Sequence, residues 1–372
     1  MDKRTFLRVL SVAGGLTVFG NPALSLAQGQ SALGSLARRS GLRFGMATSS
    51  MDLARPELAR LITDHSSITL SRNDMKWKRV EQQRGKRDYA RARVVADFAA
   101  EHALALRGHN FVWNMDVFLP DWLVDIGSQP ARQARAEITK QMWHHGHRMA
   151  KAFPNVASWD VVNEAVNPRN GKLRNSVLTR LYGDRFIDIA FEVMQAKAPG
   201  AQLVYNEAVS WGRDDEWRNG TLRQLESALN RGVRIDALGI ESHLGPTLGQ
   251  SKDYRAWDRF LTEVGDMGVG VVLTELDCDD RNLGRISPVE RDRLFGDEIR
   301  RYLDLTLAHR NVRQIIAWHA KDNDVAGYWA RRKRPAWIPD GQRLVGGVFD
   351  AEMRPTSTYQ AIEASLRSAP QR

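Results

Sequence analysis

Short apolar runs rich in β-branched residues recur along the chain, each followed by a stretch of helical periodicity. The strand candidates are Leu42–Ala47, Ser67–Leu70, Ala103–Arg107, Ala157–Val162, Gln202–Tyr205, Ala237–Ile240, Val269–Thr274 and Arg313–Trp318. Apolar spacing predicts helices at Ala92–His102, Ala131–Phe153, Ser176–Lys197, Asp214–Arg231, Tyr254–Met267 and Pro288–His309. Strands that alternate with helices predict a parallel sheet, because a parallel neighbour needs a crossover connection. The strand ends then choose between an open and a closed sheet. Polar residues follow one run after another: Arg72-Asn73, His109-Asn110, Asn163-Glu164, Asn206-Glu207, Glu241-Ser242-His243, Glu275 and His319. In a (β/α)8 barrel all strands open on one face, so these residues converge on a single site. A doubly wound sheet gathers only a few of them at its switch point. With no glycine fingerprint, internal repeat or low-complexity linker, one α/β domain, a (β/α)8 TIM barrel over residues 28–372, accounts for the length.

The first residues depart from this pattern. Lys3, Arg4 and Arg8 form a basic start, Leu10 to Phe19 an apolar core, and Ser25-Leu26-Ala27 a small-x-small cleavage site before Gln28. Residues 1–27 therefore read as an export signal, and Lys3-Arg4-Thr5-Phe6-Leu7-Arg8 resembles the twin-arginine type with Lys3 in the first arginine's place. The core falls short of the ~20 apolar residues that span a bilayer. The expected product is exported, periplasmic or secreted, with no membrane span.

Charge and composition narrow the chemistry. The 54 basic and 44 acidic residues give a net +10, which permits polyanionic partners without demanding them. No nucleic-acid module accompanies the charge, so no nucleic-acid partner is expected. The single cysteine, Cys278, rules out an internal disulfide and a multi-thiolate metal site. His144 and His147 stand at i,i+3 on a predicted outer helix without a carboxylate or thiol beside them, so no metal and no cofactor is expected. Eleven tryptophans supply many flat faces of the kind that stack on sugar rings.

Two carboxylates carry the predicted reaction. Glu164 ends Trp159-Asp160-Val161-Val162-Asn163-Glu164, and Glu275 ends Val271-Val272-Leu273-Thr274-Glu275, each after a strongly apolar strand. A lone glutamate there could close the barrel rim with an ion pair. Two of them, on the fourth and seventh strands, match the paired carboxyls of a glycosidase, where one protonates the leaving oxygen and the other attacks the anomeric carbon from ~5–5.5 Å away.

These residues resemble those of the glycoside hydrolase family 10 xylanases. Trp159–Glu164 and Thr274-Glu275-Leu276-Asp277 resemble the family's acid/base and nucleophile motifs. Asn73-Asp74-Met75-Lys76-Trp77, Arg107-Gly108-His109-Asn110-Phe111-Val112-Trp113, Ser242-His243-Leu244, Trp318 and Phe349-Asp350 resemble further family positions in the same order, and the likeness runs from about Gly41 to Tyr359. The resemblance implies a (β/α)8 barrel and retaining hydrolysis of internal β-1,4 linkages, usually in xylan. It implies Glu164 as acid/base and Glu275 as nucleophile. Asn163 would hold the sugar 2-hydroxyl, and His243 would contact Glu275 while Asp277 orients it. Asn73, Lys76 and His109 would bind glycone sugars, with Asn206 and Glu241 beside them. Trp113, Trp318 and Trp329 would stack on sugar faces, barrel-rim packing being the alternative for each.

Four departures set this chain apart from the family pattern. Arg72 stands in place of a glycone-binding glutamate, Asn114 in place of a histidine, and Glu241 in place of a glutamine, bringing a third carboxylate near Glu275. The segment from Trp318 to Trp329 is longer than usual, and Arg331-Arg332-Lys333-Arg334 follows it. Three readings remain: a xylanase; the same barrel acting on another polymer such as an acidic exopolysaccharide, favoured by Arg72 and the basic run; and a non-catalytic glycan-binding barrel, disfavoured because both glutamates are present. The expected partner is a polysaccharide substrate, and the expected state a monomer.

Overall fold

Eight parallel strands close on themselves in chain order. They are β1 (Arg43–Thr48), β2 (Ile68–Ser71), β3 (Ala105–Trp113), β4 (Val156–Asn163), β5 (Gln202–Glu207), β6 (Ala237–Ile240), β7 (Gly270–Leu276) and a closing strand, Val312–Ala317, which pairs with both β7 and β1. The computed structural model describes residues 32–209, 211–212, 215–284, 286–323 and 344–372. Within them the architecture is the expected (β/α)8 barrel, and no helix is long and apolar enough to cross a membrane. Trp329, the Arg331–Arg334 run and the export signal lie outside the described residues.

The helices sit where amphipathic spacing puts them. Tyr254–Asp266 buries Trp257, Phe260, Leu261 and Val264, an i, i+3, i+4, i+7 stripe, and Asp253 caps it by accepting from the Ala256 amide. Burying each such side chain contributes roughly 1.5–3 kcal/mol. The helix expected over Ser176–Lys197 is instead two, Val177–Tyr182 and Arg185–Lys197. Gly183, at φ +61°, ends the first in a left-handed conformation that costs glycine little. Further helices, among them Pro56–His65 and Ser357–Ser368, add to those expected.

The strands correct the sequence reading in one consistent way. β3, β4, β5 and β7 run through the polar residues expected to follow them, so His109, Trp113, Asn163, Asn206, Glu207 and Glu275 all lie within strands. Apolar patterning ends early because the barrel mouth is filled with polar side chains, while the backbone ladder continues underneath.

The barrel interior holds a buried ion network. Arg107 on β3 donates to Ser158 and Asp160 on β4 and to Gln314 on the closing strand, and so reaches across the inside of the barrel. Arg107 and Asp160 are fully buried. Removing one partner of such a pair strands the other charge, at a cost of about 3–5 kcal/mol. Arg107→Met should therefore lower the unfolding free energy by about that amount in a denaturant titration, even though the replacement is apolar and similar in length. A loss under ~1 kcal/mol would mean that Asp160 does not depend on Arg107.

Candidate active site

Strand register assembles the site. Trp113, Asn163 and Asn206 are direct neighbours on β3, β4 and β5, and His109 pairs with Asp160 across β3 and β4. Register shifts fall between His109 and Val112 and between Leu273 and Leu276, and such irregularities re-aim side chains at a barrel rim. Glu164 is the first residue beyond β4 and has φ +49°, while Ser242, beyond β6, has φ +62°. A non-glycine residue in this region costs roughly 1–2 kcal/mol. Local bonds offset it: the Glu164 amide donates to the Asn206 carbonyl at 2.9 Å, and Ser242 Oγ lies 2.8 Å from Tyr302 Oη.

Asn206 is the hub. Its Nδ2 donates to Asn163 Oδ1 at 2.7 Å and to Glu275 Oε1 at 3.2 Å, and lies 3.4 Å from Glu241 Oε1. Its Oδ1 accepts from Thr274 Oγ1 at 2.7 Å. The arrangement requires Gly239 on β6, where a Cβ would lie 2.2 Å from Asn206 Oδ1. On the other side of Glu275, His243 Nε2 stands 3.4 Å from Oε2, and its Nδ1 donates to Asp277 at 2.8 Å. His109 Nδ1 is 2.9 Å from Asp160 and 4.0 Å from Glu275.

The two glutamates sit in opposite fields. Burial would raise the pKa of Glu275, but His109, the hydrogen bond from His243, and the charges of His243 and Lys76 outweigh it and hold the carboxyl at about 2. Glu164 is raised, chiefly by burial and further by the charge of Glu275, against the opposing pull of Arg174. His243 is raised well above the usual histidine range because Asp277 and Glu275 overcome its burial. Burial lowers Lys76 to about 8, with the nearby carboxylates resisting.

Glu241 stands beside Glu275, as a third carboxyl. The sequence presents it as a third negative charge, but burial and then its neighbours Glu275 and Glu164 push its carboxyl well above the usual range. Its surroundings thus favour the protonated form, which is close in shape and hydrogen bonding to a glutamine. Glu241, His243 and Glu275 also bring donor atoms within 4.8 Å of one another, a spacing that a cation could use.

The expected sugar-binding residues gather nearby. Asn73 is exposed and accepts from Lys76 Nζ at 3.0 Å, and that ammonium stands 4.4 Å from the Trp113 ring and 6.0 Å from Trp318. Trp318 meets His109 and His243 edge to face. Trp113 stacks on Phe118 at 3.6 Å, so part of its surface is used in packing. Arg72 is not a free cation: Nη2 donates to the Ala47 carbonyl at 3.1 Å and lies 3.5 Å from Asp52. It faces a cavity of about 180 Å³ lined also by Arg55, Lys321, Asp52 and Asp322. Cys278 is buried packing, and His144 and His147 are exposed on the outer helix Ala131–Ala152.

Two site residues escape a reading of the sequence. Asp160 lies inside the Trp159–Glu164 motif, and its signal is available there: Arg107 and His109 alternate on β3 opposite a carboxylate at the matching position of β4. Arg174, whose Nη2 donates to Glu164 Oε2 at 2.9 Å, leaves no such trace. It reaches Glu164 only through the folding back of the loop after β4.

A (β/α)8 barrel with this pair of glutamates at its mouth belongs to the glycoside hydrolases. The chain is a member of glycosyl hydrolase family 10, whose model matches residues 32–365. Endo-1,4-beta-xylanase 2 of Aureobasidium pullulans is 33% identical over 315 residues, covering 82% of this chain and 81% of the relative. Endo-1,4-beta-xylanase 5 of Pyricularia oryzae is 28% identical over 349 residues, covering 92% and 80%. Among solved structures, native xylanase 10B from Thermotoga maritima superposes with a TM-score of 0.77 at 22% identity, over 90% of this chain and 98% of that one. The endo-1,4-beta-xylanase XylE of Penicillium canescens gives 0.77 at 21%, over 92% and 99%. These structural likenesses speak for the fold.

The state of Glu241 has a measurable consequence for stability. Its folded pKa is raised above the unfolded value, so folding takes up a proton and its contribution is lost as pH rises towards the folded value. Glu241→Gln removes that loss. The melting temperature of the variant relative to wild type should rise between pH 5 and pH 8, read by calorimetry. A difference that stays flat or falls would show that Glu241 is ionised in the fold.

Proposed function

We propose that this enzyme is an exported, retaining endo-β-1,4-glycanase that cleaves internal bonds of xylan by double displacement. The observation that carries this reading is the placement of the two glutamates at the ends of β4 and β7, with surroundings that push their carboxyls in opposite directions. Glu275, held ionised, attacks the anomeric carbon, and Glu164, whose proton burial helps to retain, gives it to the leaving oxygen. A glycosyl–enzyme intermediate follows. Water then attacks while Glu164, now a carboxylate, takes its proton. His243, oriented by Asp277, and Asn206 steady the Glu275 carboxylate. Asn163, whose Oδ1 is spent on Asn206, keeps its Nδ2 as a donor for the sugar 2-hydroxyl. Lys76, Asn73 and His109 contact the glycone, with Trp113 and Trp318 against sugar faces. The names of the relatives support xylan as the polymer.

Separate variants test the pair. Glu275→Ala should abolish turnover. Glu164→Ala should slow substrates with poor leaving groups by at least ~100-fold while sparing activated aryl glycosides, since acid catalysis contributes on the order of 10²–10⁴. Early proton NMR of the product should show the β-anomer first. Equal losses on both substrate types, or α-anomer first, would refute these roles.

Export rests on the first 27 residues, whose basic start, apolar core and Ser25-Leu26-Ala27 fit a cleaved signal. Protein recovered from the native cell should begin at Gln28 or within a few residues of it. Intact Met1 on the active enzyme would contradict this.

A second reading, an acidic β-linked polymer or a uronate-bearing xylan, is favoured by the cavity beside Arg72. Arg55, Arg72 and Lys321 face two carboxyls there, of which burial pushes Asp322 up to about 6. Because Asp52 shares the Arg72 charge and the site is partly open, the gain should be modest, within about five-fold in kcat/KM. Uronate-bearing chains should be cleaved faster than neutral ones at low salt, with the preference shrinking as salt rises and lost in Arg72→Glu. Equal rates on both polymers at low salt would leave neutral xylan as the substrate.

A further inference from the structure

The loop after β4 is built to return to its own starting point. Arg174 donates its amide to the Ala165 carbonyl at 2.7 Å, Val166 bridges to Leu173, and the Asn167 amide reaches the Lys172 carbonyl at 2.7 Å. Gly171 makes the bend at φ +63°, where a Cβ would lie 2.2 Å from the Glu216 carbonyl oxygen. Fully buried Asn114 ties the two ends, donating to the Ala165 carbonyl at 3.4 Å and accepting from Ser176 and from Thr179. The outcome is that the Arg174 guanidinium is held against Glu164 at 2.9 Å, with both side chains about one-fifth exposed.

That contact is at odds with a carboxyl whose first task is to donate a proton. A fixed cation favours the charged form, which the acid half of the reaction does not use. The charged form is what the enzyme must carry between the two halves. We infer that Arg174 is a positioning residue that stabilises and orients the Glu164 carboxylate left after proton donation, and thereby sets the pH at which the acid half fails and the base half begins. The inference rests on the reading of Glu164 as acid/base.

Other groups face Glu164 as well. Glu275 comes from β7, Glu241 and His243 from the end of β6, Glu207 from β5, and Lys76 from the segment after β2. Glu275, Glu241 and Glu207 oppose ionisation of Glu164 when charged, while His243 and Lys76 favour it from further away. Among the described residues Arg174 is the cation hydrogen-bonded to it.

The test compares Arg174→Gln, Arg174→Met and Arg174→Lys with wild type. With an aryl glycoside bearing a poor leaving group, the alkaline limb of kcat/KM reports loss of the Glu164 proton. Without the cation the proton stays on longer, so this limb should move up by about one pH unit in both neutral variants and stay near wild type in Arg174→Lys. With an activated leaving group, the second half limits kcat, and its acid limb should move up in parallel because the base is then harder to expose. A merely structural loss would lower rates without moving both limbs in one direction. Repeating the series on the Glu241→Gln background removes a carboxyl that titrates nearby.

Limbs that stay put in a folded neutral variant would overturn the inference. So would failure of both neutral variants to fold while Arg174→Lys folds, which would make the charge structural. If Glu164→Ala fails to distinguish leaving groups, it is the acid/base reading that falls, whatever Arg174 does.

Discussion

Several carboxyl groups crowd the mouth of this barrel, and where its cations stand decides how strongly each is driven towards or away from its charged form. Glu164, Glu241 and Glu275 converge there, with Glu207 buried at the end of β5. Two like charges ~4 Å apart repel by about 4 kcal/mol even at an effective dielectric of 20, so each ionised carboxylate disfavours ionisation of those near it. Glu275 takes the charge because His109, His243 and Lys76 act on it together. Glu241 has an amide and a more distant His243 edge for company, and burial pushes it towards the protonated form. The protonation pattern of the site follows from where the cations stand.

Those positions depend on the barrel below. Arg107 anchors Asp160 in the interior, Asp160 holds His109, and His109 faces Glu275. On the opposite wall, Asp277 fixes His243 through one bond and the strand bridge between them. Both histidines that favour the Glu275 carboxylate are thus oriented by a carboxylate behind them. Losing one such backing group would let a ring turn and change the charge on Glu275 without touching it.

Most of this is legible in the chain. The eight apolar runs locate the strands, and the polar residues just past them locate the mouth. The runs understate strand length because hydrophobicity marks the core and not the hydrogen-bond ladder. Asn206 is legible as a residue but not as a hub, since its partners Asn163, Thr274 and Glu275 come from β4 and β7. Arg174 is illegible for a different reason. Its place depends on a loop closed by Asn114 from β3's end and by a glycine whose fit is set by Glu216, far along the chain. The charge state of Glu241 is hidden because a sequence shows a carboxylate and gives no account of its solvation.

The departures from the family pattern share a physical logic. Arg72 introduces a cation and meets Asp52 beside it. Glu241 introduces an acid, and burial opposes its ionisation. Asn114 removes a ring and fills its place with hydrogen bonds to the loop that carries Arg174. In each case the change is compensated within its own surroundings, so its charge does not reach the Glu164–Glu275 pair at full strength. A site whose two carboxyls must stay in opposite states tolerates substitution only where such compensation is at hand. The glycone side, open and already bordered by Asp52 and Asp322, offers it. Beside Glu275 the substituted Glu241 keeps within hydrogen-bond reach of Asn206, and along the chain that carries Glu275 the Thr274–Asp277 motif is intact.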